Sequence, residues 1–377
     1  MSMFSNRPAL RWLVPAAATV VVLGGGAAVG TFAANAEPVL PPRSAAQLLV
    51  DLQTAKLDGL SGTVVQRADL GLPALPLGGG QGEADLATLA SGTHTLRVWY
   101  AGPEQQRVAL LGTLGETDVI HNGRDVWVWA SQRNEAVHRV LPEGAAAGRT
   151  PATELPFTPQ QAAEQALAAV DPTTEVTVGR SAHIAGRDAY ELVLGPRDTA
   201  SLVGQVRIAI DSREHIPLRF EIFARGASEP AFEVAFTQVD FSRPDPAQFT
   251  FNPPPGTKIV EPAKEAPSGD DAQPGRPGEK AGPPEGMKTV GTGWTTVLVA
   301  RDGAGPAGPG RPAPAGGGDE AARLEGLLGG VPKVDGDWGS GRLLSGKLFS
   351  VLLTDDGRLL AGLVTPERLY EVARTEK

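Results

Sequence analysis

Apolar positions follow two different rhythms along this chain, and the change between them falls at Gly59. Before it, Leu48, Leu49, Leu52 and Ala55 recur at helical spacing, with Ser44 as N-cap and Gln47 completing a capping box. Asp58-Gly59 ends that helix. Beyond it the period drops to two, which predicts strands over residues 61–67, 93–100, 106–111, 118–121, 125–130 and 136–140. His121-Asn122-Gly123-Arg124 reads as a tight turn between two of them, and residues 70–92, rich in Leu, Pro and Gly, as a long loop. A second helix is expected over 159–170, capped by Thr158 with Pro159 in the first position and Gln161 at the capping-box place. Strands resume at 175–180, 189–194, 203–211, 217–224 and 231–239.

The later strands alternate cleanly. Tyr190, Leu192 and Leu194 share a face opposite Glu191, and Val206, Ile208 and Ile210 oppose Gln205 and Arg207. Phe220 and Ile222 oppose Arg219 and Glu221, while Phe232, Val234 and Phe236 oppose Glu233. One apolar and one wet face means an antiparallel sheet rather than a parallel α/β arrangement.

Composition divides the chain. Residues 261–287 hold Pro, Gly, Lys and acids with almost nothing to bury, which predicts a disordered linker. After an apolar stretch at 294–300, a second Gly/Pro/Ala linker covers 301–318. A short helix at 320–328, a hairpin of 343–353 with 358–364, and a last helix after Thr365-Pro366 make up a C-terminal extension over 288–377. Gly (47) and Pro (33) are abundant in the 377 residues, in keeping with such linkers.

At the N-terminus, Arg7 and Arg11 precede an apolar run over 13–34, and Ala34-Asn35-Ala36 forms a small-x-small cleavage site before Glu37. Residues 1–36 are therefore expected to be a signal peptide or an N-terminal anchor, and both place the rest outside the cytoplasm. The net charge of −9 argues against a nucleic-acid partner. With no cysteine there is no disulfide frame, no thiolate site and no lipid-modified N-terminal Cys.

Candidate chemistry is sparse. Gly341, Gly346 and Lys347 space like a P-loop, but Leu348 stands where Ser or Thr must hold magnesium, and a strand rather than a helix is expected there. Asp335 and Asp337 lack the further acids of a calcium loop. His94, His121, His138, His183 and His215 show no metal-binding spacing, and no Gly-x-Ser-x-Gly elbow occurs. The chain is therefore expected to be no enzyme and to need no cofactor. Trp127 and Trp129 share one strand side opposite Val126 and Val128; they either cover the sheet or line a ligand cavity.

The order of elements, the Gly59-Leu60-Ser61-Gly62-Thr63 strand start and the closing Phe249-Thr250-Phe251-Asn252-Pro253-Pro254 are similar to the LolA/LolB-like lipoprotein-carrier family, in the form of an exported actinobacterial-type member with a C-terminal extension. The resemblance covers about residues 44–260. It implies an α+β domain over 37–260: a mainly antiparallel half-open β-barrel with helices covering its concave face. It further implies an apolar hollow for lipids or lipoprotein acyl chains. The apolar strand faces supply candidate lining residues: Leu96, Val98 and Tyr100; Trp127 and Trp129; Phe220 and Ile222; Phe232, Val234 and Phe236. The expected partners are a lipid or acylated protein and a membrane surface. The family also implies an alternative, since related folds serve as periplasmic regulators. In that case the C-terminal extension docks on a membrane anti-sigma factor or another envelope protein.

Overall fold

A computed structural model describes residues 38–71, 89, 91–142, 158–168, 170–260, 287–300 and 331–376. The expected export segment 1–36, most of the expected loop 70–92, the expected linkers (apart from Met287) and the expected helix at 320–328 lie outside these residues.

The first helix, α1 (Ala45–Thr54), starts as its sequence dictates. The Gln47 amide donates to Ser44 Oγ at 3.2 Å, and the Ser44 amide donates to Gln47 Oε1 at 2.8 Å. Six strands follow: β1 (Leu60–Ala68), β2 (Gly92–Tyr100), β3 (Gln105–Leu111), β4 (Glu116–Asn122), β5 (Asp125–Ala130) and β6 (Glu135–Val140). Gly123, at φ 64°, makes the β4–β5 turn. Helix α2 (Pro159–Ala168) has its Gln161 amide bonded to Thr158 Oγ1 at 3.2 Å. Then come β7 (Thr174–Val178), β8 (Ala182–Ile184), β9 (Arg187–Pro196), β10 (Val203–Asp211), β11 (Pro217–Ala224) and β12 (Pro230–Asp240).

With β13 (Lys258–Val260) these make one thirteen-stranded sheet, ordered β13-β6-β5-β4-β3-β2-β1-β12-β11-β10-β9-β7 with β8 beside β9. Its neighbours are antiparallel except β13 on β6. The architecture is α+β and mostly sheet, and among the described residues the sheet is not closed into a barrel, since its end strands β13 and β7 do not pair with each other; the half-open barrel implied by the resemblance is met as an open sheet. Closure is not required to bury the apolar side, because helices cover it. Leu48 of α1 and Ala162 and Ala163 of α2 join one core with Val64, Leu96, Leu192, Ile208 and Phe220.

Register decides the faces. Val64 lies opposite Leu96 and Leu96 opposite Leu110; on the other flank Val64 lies opposite Phe236, and Val234 opposite Phe220. This is the inner face.

After β12 the chain crosses to the other side. Gly59 permits the crossing, because a Cβ there would stand 2.4 Å from the Arg243 Cα. Arg243 Nη2 then donates to the Ala101 carbonyl at 3.0 Å. A 3-10 turn, Pro246–Phe249, buries Phe249 against the outer face of β3 and β4.

The C-terminal unit has β14 (Met287–Val290), β15 (Val297–Ala300), β16 (Lys333–Gly336), β17 (Gly339–Ser345), β18 (Ser350–Thr354), β19 (Leu359–Gly362) and α3 (Pro366–Thr375). Its six strands are ordered β14-β15-β19-β18-β17-β16, and α3 packs Leu369 and Val372 on Val297, Leu352 and Leu360. The expected strand 343–353 is broken into two. Between Ser345 and Ser350 the chain turns outward to meet the end of β1, so Leu348 joins the core of the main sheet instead of pairing within its own. Further hydrogen bonds join the units: the Leu202 amide to the Leu363 carbonyl and the Thr365 amide to the Ala200 carbonyl, both 2.9 Å, and Trp294 Nε1 to Thr174 Oγ1 at 2.8 Å.

Candidate functional site

A cleft of about 220 Å3 opens where the inner face meets the N-terminal end of α2. Leu60 from β1, Val98 and Tyr100 from β2, Val108 from β3 and Phe236 from β12 give it an apolar floor continuous with the core. Strand alternation places them there, since Leu60 lies opposite Tyr100 and Val98 opposite Val108. Gln106 and the α2 side chains Gln160, Gln161 and Glu164 border the mouth. Gln160 Nε2 donates to Glu164 Oε1 at 2.9 Å. The Tyr100 hydroxyl is pushed above its ordinary pKa, first by burial and then by the Glu164 carboxylate.

Of the candidate lining residues, Val98, Tyr100 and Phe236 border this cleft. Leu96 and Val234 lie deeper, without exposed surface. Phe220 and Phe232 meet edge-to-face with ring centroids 6.4 Å apart, and Ile222 packs on the same core. Trp127 and Trp129 are elsewhere. From Val98 the register runs through Val108 and Val119 to Val128, so both indoles stand on the outer face. Phe251 covers them at centroid distances of 5.0 and 6.2 Å, and His138 stacks on Trp127 at 4.0 Å. Sequence reasoning missed Leu60, Val108 and the α2 rim. The helical spacing of Gln160, Gln161 and Glu164 marks a polar helix side, but nothing local says that it borders Tyr100.

The outer face carries buried charge. Arg107 Nη2 donates to Asp118 Oδ2 at 2.5 Å while its guanidinium lies over the Trp99 ring. Burial raises the Asp118 pKa against the pull of Arg107. Farther along, Arg219 reaches Glu191 at 3.3 Å and Glu221 at 3.1 Å.

Four of the five histidines have partners nearby in sequence, His94 the Ser91 carbonyl, His121 that of Gly123, His138 Asp125 and His183 Asp188, while His215 lies 4.0 Å from Asp51. Among the described residues no three His, Asp or Glu side chains gather as a metal site, and no helix is long and apolar enough to cross a membrane. The P-loop-like spacing falls on β17 and its outward turn, with no helix following.

No protein family matches the sequence, and no curated protein does. Similar solved structures include MucB of Pseudomonas aeruginosa in complex with MucA, at 14% identity and a TM-score of 0.42, covering 87% of this chain and 96% of that one. An uncharacterized conserved protein from Thermus thermophilus is 12% identical with a TM-score of 0.32, over 58% of this chain and 99% of that one. A LolA superfamily protein from Nitrosomonas europaea is 14% identical with a TM-score of 0.22, over 56% and 99%. At these values the likenesses bear on no residue of this chain.

Proposed function

We propose that this chain is an extracytoplasmic, non-enzymatic binding protein that accepts the apolar chain of a lipid or an acylated protein at the cleft above β1, β2 and β3. The observation that carries the reading is the cleft itself, whose floor of buried Leu60, Val98 and Phe236 with half-buried Val108 lies beneath an amide-rich rim. Apolar floors with a few placed polar groups are the usual form of small-molecule sites. At about 220 Å3 the cleft is smaller than the roughly 300–1,000 Å3 of such sites, so it suits one segment of a hydrocarbon chain rather than a whole lipid. Each methylene buried there contributes about 0.8 kcal/mol without any catalytic group. The export-type sequence pattern of residues 1–36 supports the extracytoplasmic setting. The test is organic extraction of the purified protein with mass spectrometry, together with uptake of a fluorescent fatty acid. Absence of lipid in repeated extractions and no uptake would sink the reading.

A second reading, docking on a membrane anti-sigma factor or another envelope protein, is favoured by one feature of the C-terminal unit. Trp294, Leu298, Phe349, Ala361 and Leu363 line a shallow apolar groove of about 410 Å3, with Leu363 42% exposed. Titration with extracytoplasmic segments of such proteins tests it. Affinity that survives Leu363→Asp would rule out this groove.

A further inference from the structure

Resting on the binding reading above, we infer that the cleft favours acyl ligands with an uncharged head group over those ending in a free carboxylate, and that Glu164 sets this preference. A ligand whose chain lies on Leu60, Val98 and Phe236 leaves its head among Tyr100, Gln106, Gln160, Gln161 and Glu164. Four of these five are neutral hydroxyl or amide groups, which both donate and accept hydrogen bonds and so match esters, amides and alcohols. The fifth is an anion. It borders the same cleft as the half-buried Tyr100, whose hydroxyl is raised first by burial and then by this carboxylate.

The cations nearby do not offset it. Arg107 borders the cleft, but its guanidinium is engaged by Asp118 and lies over Trp99. Lys56 and Asp58 flank the lining residue Leu57 with opposite charges. Gln160 is the side chain bonded to the Glu164 carboxylate, and it leaves the charge in place. A carboxylate head group would therefore enter beside a like charge, the arrangement by which sites reject a competing ligand. Glu164 is exposed, so solvent screening keeps the discrimination to roughly two- to fivefold, and added salt shrinks it.

The experiment is titration of the full chain, wild type and Glu164→Gln, with laurate and with monolaurin, below their micelle concentrations and at mildly alkaline pH. The quantity read is the ratio of the two affinities. The substitution is expected to shift that ratio toward laurate by roughly two- to fivefold, and by less at high salt. If both ligands bind but the ratio is the same in wild type and variant, Glu164 does not set the preference and the inference is overturned. If neither ligand binds either protein, the binding reading fails, and the inference with it.

Discussion

The backbone amide of Lys347 donates to the Leu70 carbonyl at 2.7 Å, bringing the β17–β18 turn against the end of β1. Beside it Leu348, only 5% exposed, is buried with residues of the main sheet rather than with its own unit. Leu348→Ala is therefore expected to destabilise the main sheet by about 2–5 kcal/mol, as for other buried leucines. Urea unfolding should show one transition, displaced as a whole. Two transitions, with only the weaker one displaced, would mean that the turn is an accessory contact.

Val234 has no exposed surface and lies opposite Phe220 in the sheet. Val234→Trp is expected to overpack that region and cost about 1–3 kcal/mol, while fatty-acid uptake at the cleft persists in the folded fraction. Tyr100→Ala, at the cleft itself, should do the reverse and weaken uptake more than it lowers the melting temperature. Thermal melts and a binding assay on the two variants check both halves.

The segment that follows β12 straps the outer face: its Phe249 is 1% exposed, and its Phe251 covers both indoles. Phe249→Ala should cost about 3–5 kcal/mol. Phe251→Ala, at a half-buried ring, should cost less but red-shift the emission of Trp127 and Trp129 as water reaches them. An unchanged emission maximum in the Phe251 variant would place the strap off the indoles in solution.

Two acids are expected to give opposite pH slopes. Asp356 is held down to about 2, first by hydrogen bonding to Arg358 and then by the Thr354 hydroxyl. Its contribution is present above the ordinary carboxylate range and is lost as pH falls through about 2. The melting-temperature gap between wild type and Asp356→Asn should thus close in strong acid. Glu221 is raised, chiefly by burial, so its charged form costs stability at neutral pH and the cost disappears on acidification. Arg219 retains Glu191 at 3.3 Å when Glu221 is replaced. Glu221→Gln is therefore expected to be at least as stable as wild type at neutral pH, with its advantage fading in acid.

Much of this protein is local, and what is local was legible. Ser44 with Gln47, and Thr158 with Gln161, announce two helix starts because a cap is a contact between residues three apart. Alternation identifies most strands and which residues share a side, since successive side chains in a strand must point oppositely. It also places Trp127 and Trp129 together, and Phe220 with Ile222.

Relations between distant segments were decided only in the tertiary structure. Alternation gives each strand two sides without saying which one meets the core. Only the register from β2 through β5 puts the indoles opposite Val98, and only the strap's route past Gly59 covers them. The open edges at β13 and β7, the meeting of Glu164 with Tyr100, and the burial of Leu348 in a core begun at Val64 likewise join residues far apart in the chain. Such contacts depend on which apolar surfaces remain uncovered once every element is placed, and no short window of sequence contains that balance.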